Sequence, residues 1–233
     1  MKTVKDSSKL NIISEVLLEI RFTPNQDISL IVGRLYEKLK DKYPEFKNLN
    51  IPDFPGNIPE FDKIVKYRFY SADKKELYNL GKGILSINTL KYSGFADFQK
   101  QSAAVLELHR ELSGLPTITR IGLRYINKIP FINEGKQIFN IKFSLPDLLN
   151  RIEKGFNYKS IGKNNETVLI TSLFTEPFSK KTITLDFDCY ITKETSYDVS
   201  NILTWSKESY KFIKEAFNQS LTSTFLKNIV IEV

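Results

Sequence analysis

The chain has 233 residues and a formal net charge of +7, and its 41% hydrophobic and 26% charged residues are ordinary for a globular protein. No run of about 18 apolar residues predicts a membrane span, and the lysine-bearing N-terminus lacks the apolar core of a secretory signal. A single cysteine excludes an internal disulfide, and together with a single histidine it argues against structural zinc. We therefore expect a soluble, cytoplasmic protein without a cofactor.

The first half of the chain alternates strands and helices. In the first predicted strand Val16, Leu18 and Ile20 alternate with charged residues, which is the period of two of a half-buried strand. The predicted elements are a strand at 12–22, a helix at 27–43, a proline-rich connector at 48–61, strands at 64–71, 77–80 and 83–90, a helix at 94–112 and a strand at 119–129. The predicted order is thus β-α-β-β-β-α-β with antiparallel pairing.

The second half is less regular at its start and then becomes clearly periodic. The predicted elements are a strand at 137–143, a short helix at 146–152, long strands at 167–174 and 181–192, a helix at 200–226 and a short strand at 229–233. The fold class we predict is α+β, with mostly antiparallel sheet, two long helices in the first half and a β-β-α ending. We expect residues 1–133 and 134–233 to form two α+β halves packed as one continuous unit.

Two segments carry a resemblance to a known family. Residues 15–22 (EVLLEIRF) and 120–129 (RIGLRYINKI), with the helix near the C-terminus, resemble a sporadically distributed, uncharacterised family of prokaryotic proteins of similar length. The family has no assigned activity, cofactor or catalytic residues. Its scattered occurrence implies horizontal transfer, and hence an accessory role in a mobile or defence-associated locus.

A basic stripe is the clearest candidate for a binding site. Arg120, Arg124 and Lys128 are spaced by four and therefore share one face of the predicted strand at 119–129, with Gly122 leaving room between the arginines. Arg21 lies beside them if the first strand is a neighbour. Such a stripe would bind phosphate or an acidic partner surface, whereas the alternative is a solvated or salt-bridged sheet face.

The positive charge by itself does not decide between these alternatives. Clustered cations favour nucleic acid, because they release counterions from phosphate. Most cations here are lysines dispersed among isoleucine and asparagine, a composition that AT-rich codons also produce. Arginine, the better reader of phosphate and base edges, is scarce.

Catalytic chemistry has few candidate residues. His109 lies at the edge of the apolar stripe of the helix at 94–112, and Cys189 lies in phase with inward-facing residues of a strand, so both are expected in the core. Asp186 and Asp188 share the opposite face of that strand and would need a third carboxylate, such as Glu166 or Glu194, to bind a divalent metal. We favour pairing of these acids with lysines over a metal site.

These observations lead to three hypotheses of function. The first is a non-catalytic binding or regulatory protein that contacts another protein, with self-association left open. It would use the sheet and aromatic residues expected on the surface: Phe54, Phe61, Tyr67, Phe69 and Tyr70. The alternative is a nucleic-acid-binding protein that uses the basic stripe, and the third is a metal-dependent nuclease or phosphotransferase built on Asp186 and Asp188.

Overall fold

The computed structural model describes residues 11–51, 63–130, 138–140, 157–176, 179–227 and 229. The strands are β1 (Ile13–Thr23), β2 (Glu45–Asn48), β3 (Val65–Tyr70), β4 (Glu76–Gly81), β5 (Ile84–Thr89), β6 (Thr117–Pro130), β7 (Asn157–Asn164), β8 (Thr167–Glu176) and β9 (Ser179–Thr195). The helices are α1 (Ile28–Leu39), α2 (Phe95–Ser113), α3 (Val199–Ser220) and α4 (Ser223–Leu226).

The nine strands form one antiparallel sheet in the order β2-β3-β4-β5-β1-β6-β9-β8-β7. Strand β1 pairs with β5 on one side and with β6 on the other, and β6 also pairs with β9 over most of its length. Strands from both halves of the chain therefore lie in one sheet, with β1 and β6 near its middle and β2 and β7 at its edges.

Helices α1, α2 and α3 pack on one face of this sheet. The alternating apolar residues of the strands face them, as the period of two predicts: Leu18 of β1, Leu123 of β6 and Cys189 of β9 lie in one cross-strand row and are almost fully buried. Aromatic contacts join the layers, for example between Phe187 of β9 and Phe217 of α3. The opposite face of the sheet carries the polar residues of the same strands.

The helix boundaries are set by capping residues, which bind free backbone groups at a helix end or allow the chain to turn away from the helix. Asp27 accepts a hydrogen bond from the backbone N–H of Ser29 at the start of α1, and Asp198 does the same for Ser200 at the start of α3. Gly114 ends α2 with φ of 68°, a left-handed conformation that glycine adopts without strain. No helix in the described part of the chain is long and apolar enough to cross a membrane.

The fold class predicted from the sequence is wrong in its arrangement, although the chain does combine helices with an antiparallel sheet. The sheet dominates, and the predicted pair of long helices in the first half is not seen: α1 has only 12 residues and ends at Leu39, before the predicted stop at Pro44. After Pro44, residues to which the sequence assigned no strand pair with β3 as the additional strand β2. The longest helix, α3, lies in the second half.

Further differences concern the later elements. Strand β7 was not predicted, and the last predicted helix is interrupted at Leu221, which is extended and separates α3 from α4. The predicted helix at 146–152, most of the strands at 137–143 and 229–233, and the aromatic residues Phe54 and Phe61 lie outside the described residues. Phe69, predicted to be exposed, is fully buried.

His109 and Cys189 both lie in the core, which confirms their predicted placement. Burial raises the pKa of the Cys189 thiol to about 11, so the thiol stays protonated and unreactive at neutral pH. The His109 ring lies 5.1 Å from the Phe22 ring between centroids, and its Nδ1 lies 3.2 Å from the hydroxyl of Tyr197. Burial lowers the pKa of His109 to about 4, so the imidazole is neutral at pH 7.

We predict that the free energy of unfolding falls as pH decreases from about 6.5 to about 4. In this range the unfolded chain binds a proton at His109 that the folded chain does not, and the difference amounts to about 3 kcal/mol. Urea denaturation at several pH values measures the slope, and NMR of the only imidazole gives its pKa directly. His109→Gln should remove this part of the slope, and titration of the folded imidazole near pH 6.5 would contradict the prediction.

Candidate binding face

The face of the sheet opposite the helices carries two groups of interacting polar side chains on its central strands. We call the first the arginine–carboxylate cluster, and it consists of Glu19, Arg21, Arg120, Arg124, Asp186 and Asp188. We call the second the amide cluster, and it consists of Glu15, Arg68, Asn79, Ser86 and Asn88. Together they form the polar face, which crosses six adjacent strands from β3 to β9.

Arg120 is the centre of the arginine–carboxylate cluster. Its Nη1 donates to Oε1 of Glu19 at 2.6 Å, and its Nη2 lies 3.3 Å from both carboxylate oxygens of Asp188. Its guanidinium carbon lies 4.6 Å from the centroid of the Tyr190 ring. Arg120 therefore connects β1, β6 and β9 in a single interaction, and it is largely buried in doing so.

Gly122 allows this arrangement. It follows Arg120 on the same face of β6, and a β-carbon at this position would lie only 2.6 Å from Nη1 of Arg120. Because glycine has no side chain, the long side chain of Arg120 can lie flat over the strand and reach the carboxylates on both sides. The gap noted in the sequence is thus filled by the neighbouring arginine.

Arg124 makes the closest bidentate pair on the face. Its Nε donates to Oδ1 of Asp186 at 2.9 Å and its Nη2 donates to Oδ2 at 2.6 Å. These hydrogen bonds raise the pKa of the Arg124 guanidinium, so it remains charged. The Asp186 side chain is only 9% exposed, whereas that of Arg124 is 42% exposed and presents its outer edge to the surroundings.

Asp188 differs from Asp186 in its environment. Burial raises the pKa of the Asp188 carboxyl, and the charges of Arg120 and Arg124 only partly oppose this effect. The sequence offered Asp186 and Asp188 as weak metal ligands and favoured pairing with lysines, but both carboxylates contact arginines. Within the described residues no three Asp, Glu, His or Cys side chains are grouped so as to hold a metal ion, and Glu166 pairs instead with Lys193.

The predicted basic stripe lies on the polar face. Arg21 lies next to Arg120 in the register of β1 and β6, and its Nε donates to Oε1 of Glu19 at 2.7 Å. Lys128 is exposed at the far end of β6, opposite Thr184. The structure therefore brings Arg21, Arg120, Arg124 and Lys128 to one face, but it also places carboxylates beside the arginines.

The amide cluster was not predicted from the sequence. Asn79 accepts a hydrogen bond from Nε of Arg68 and donates to Ser86 and Asn88, and Asn88 donates to Oε1 of Glu15 at 2.6 Å. Asn79, Ser86 and Asn88 are buried, yet their polar side-chain atoms form hydrogen bonds with one another. The signal in the sequence was the alternation of polar Ser86 and Asn88 with apolar Leu85 and Ile87.

The two clusters are electrically balanced. Its four arginines, at positions 21, 68, 120 and 124, are matched by four carboxylates, at positions 15, 19, 186 and 188. The clusters therefore carry no net charge, and the excess positive charge of the chain lies outside them, for example at Lys128 on the same side of the sheet.

Comparisons with known proteins add no further assignment, since no protein-family model matches the chain and no curated protein matches it significantly.

We predict that Arg124→Ala lowers the free energy of unfolding by about 1–2 kcal/mol, because it leaves the nearly buried Asp186 without its charged donor. Solvent around the half-exposed Arg124 keeps the loss below that of a fully buried pair. Urea denaturation measures the change. As a matched control, Lys193→Ala breaks the exposed pair with Glu166 and should change stability by less than about 0.5 kcal/mol. Equal effects of the two substitutions would contradict the prediction.

Proposed function

We propose that this chain is a non-catalytic protein-binding protein and that the polar face is its main contact surface. The observation that carries the proposal is the distribution of arginine. Lysine and arginine together number 34, of which only seven are arginines, and four of these seven lie on the polar face. Interface cores are enriched in arginine and tyrosine and depleted of lysine, so this selective placement fits a recognition surface better than a solvated one.

The arginines of the polar face are held in place before any partner binds. Arg68, Arg120 and Arg124 each donate at least one hydrogen bond to a side chain of a neighbouring strand. Because their rotamers are already restricted, less side-chain entropy is lost on association. Tyr190 beneath Arg120 and Tyr70 beside Arg68 add aromatic surface to the same face.

The charge balance of the face favours a protein partner over a nucleic acid. Binding of a polyanion gains free energy when cations replace counterions along the phosphates, but each arginine here already has an acceptor on the face. Four carboxylates on the same face would also repel phosphate. A protein surface with alternating donors and acceptors meets no such penalty.

The side chains that the sequence offered for catalysis are either buried or paired with arginines. His109 and Cys189 are buried on the helix side of the sheet, and Asp186 and Asp188 are engaged by arginines. This arrangement supports binding rather than catalysis. The resemblance to a sporadic prokaryotic family further suggests that the partner is encoded in the same mobile or defence-associated locus.

We predict that a photo-activated cross-linker placed at Thr192 captures a discrete protein in cells that naturally produce this chain. Thr192 is exposed and lies opposite Arg120 in the register of β6 and β9, so it reports on the polar face without removing a member of either cluster. The same cross-linker at Leu30, which is 65% exposed on α1, is the matched control. Mass spectrometry identifies the adducts.

The adduct at Thr192 should also disappear when Arg124 is replaced by glutamate, provided that circular dichroism shows an unchanged fold. Arg124→Glu places two carboxylates together and removes a donor from the centre of the face. Equal adducts at Thr192 and Leu30, or an adduct that survives Arg124→Glu, would contradict protein binding by the polar face.

A further inference from the structure

The two edges of the sheet differ in a way that bears on binding. Strand β2 at one edge has only four residues, and its Glu45 pairs with Lys47 and Lys74. Strand β7 at the other edge has eight residues, all of them exposed. It pairs with β8 in continuous register from Asn157 to Asn164 without a bulge, and in the described part of the chain no strand pairs with its outer edge.

A long, regular and unpaired edge presents a row of backbone donors and acceptors to which another strand can add. Natural proteins usually protect such edges by shortening or bulging them, and β2 is protected by its length. Neither form of protection is present in β7. The side chains of β7 therefore decide which strand is able to bind there.

The side chains on one face of β7 define the chemistry of an added strand. Lys159, Ile161 and Lys163 alternate along this face, opposite Ser172, Ile170 and Val168 of β8. Ile161 is 66% exposed, and an apolar residue placed beside it would continue the apolar row begun by Ile170. Neither lysine has an ion-pair partner among the described residues.

A second copy of this chain is a poor occupant of the edge. If two β7 strands paired antiparallel with Ile161 opposite Ile161, Lys159 of each copy would lie opposite Lys163 of the other. Like charges directly opposite each other destabilise a strand pair. The lysines thus reject self-association and at the same time favour a strand with carboxylates at the matching positions.

We propose that β7 binds an extended acidic segment of another protein as a tenth strand of the sheet. In this segment an apolar residue lies opposite Ile161 and two acidic residues, each two positions away from it, lie opposite Lys159 and Lys163. The pattern is symmetric, so it fits β7 in either strand direction. The inference rests on the proposed function, since it names the class of partner, but it concerns the sheet edge and not the polar face.

The test uses a fluorescein-labelled nine-residue peptide of threonine with a central valine and a glutamate two residues to either side. Fluorescence anisotropy of the peptide with the full chain should show saturable binding. The variant Lys159→Glu with Lys163→Glu should bind it about tenfold more weakly, because two attractive charge pairs become repulsive. The same variant should gain binding to a peptide in which both glutamates are lysines.

A matched control variant has the same change of charge at two lysines far from β7 in the sequence. Lys207→Glu with Lys211→Glu alters two exposed lysines with the same spacing on α3, and its affinity for the acidic peptide should remain within about twofold of the unmodified chain. Equal loss in both double variants would show only a general charge effect and would overturn the proposal, as would failure of the acidic peptide to bind the unmodified chain.

Hydrogen exchange of the unmodified chain provides a readout that does not depend on any variant. The acidic peptide should slow exchange of backbone amides within 157–164, and protection confined to other segments would overturn the proposal. Adducts at Thr192 without peptide binding would overturn this inference and leave the proposed function standing. Peptide binding at β7 without adducts at Thr192 would support this inference and contradict the proposed role of the polar face.

Discussion

The bridge from Arg120 to Glu19 and Asp188 is the interaction on which the polar face depends. It joins three strands whose residues are 101 and 68 positions apart in sequence, and it forms only if β6 pairs with β1 and β9 in their observed registers. A shift of one residue in either register would turn Arg120 or its partners toward the helices. The apolar residues on the other face prevent that shift, because they would then be exposed.

The same register explains how one sheet forms an apolar core on one face and polar clusters on the other. On the helix side it aligns Leu18, Leu123 and Cys189 into a dense core, and on the other side it aligns arginines with carboxylates. Burial of polar groups is costly unless they bind one another, and the two clusters meet this condition by cross-strand hydrogen bonds. The result is a pair of neutral clusters with fixed donors and acceptors, which is suited to a partner with complementary groups.

The sequence predicts those features that depend on local periodicity and fails where they depend on cross-strand register. The alternation in β1, β6 and β9 is regular, so the faces of Arg120, Arg124, Cys189 and Asp186 follow directly from it. The pairing of Arg124 with Asp186 does not, because the two residues are 62 positions apart and no local pattern fixes which strands become neighbours. From the sequence a salt-bridged face was therefore only one alternative for the basic stripe, and lysines were the expected partners of Asp186 and Asp188.

The missed elements have equally specific causes. Strand β2 has four residues and one apolar side chain, too few to show a period, so no strand was predicted between Pro44 and the connector at 48–61. Strand β7 contains lysines, asparagines and a glycine around Ile161, a composition typical of loops, and it becomes a strand only because β8 offers a regular edge. Both strands lie at the sheet edges, where burial constrains the sequence least.

The most direct test of the claim that the polar face recognises protein is a titration with nucleic acid, the competing candidate ligand. Nuclease-treated protein is titrated with random single- and double-stranded DNA and RNA at two salt concentrations, and binding is followed by fluorescence anisotropy. The account predicts no saturable binding at either concentration, since the arginines of the face are already neutralised by carboxylates. The contradicting result would be micromolar binding at the lower salt concentration that is lost at the higher one and is absent in the variant Arg124→Glu. It would assign the face to nucleic acid.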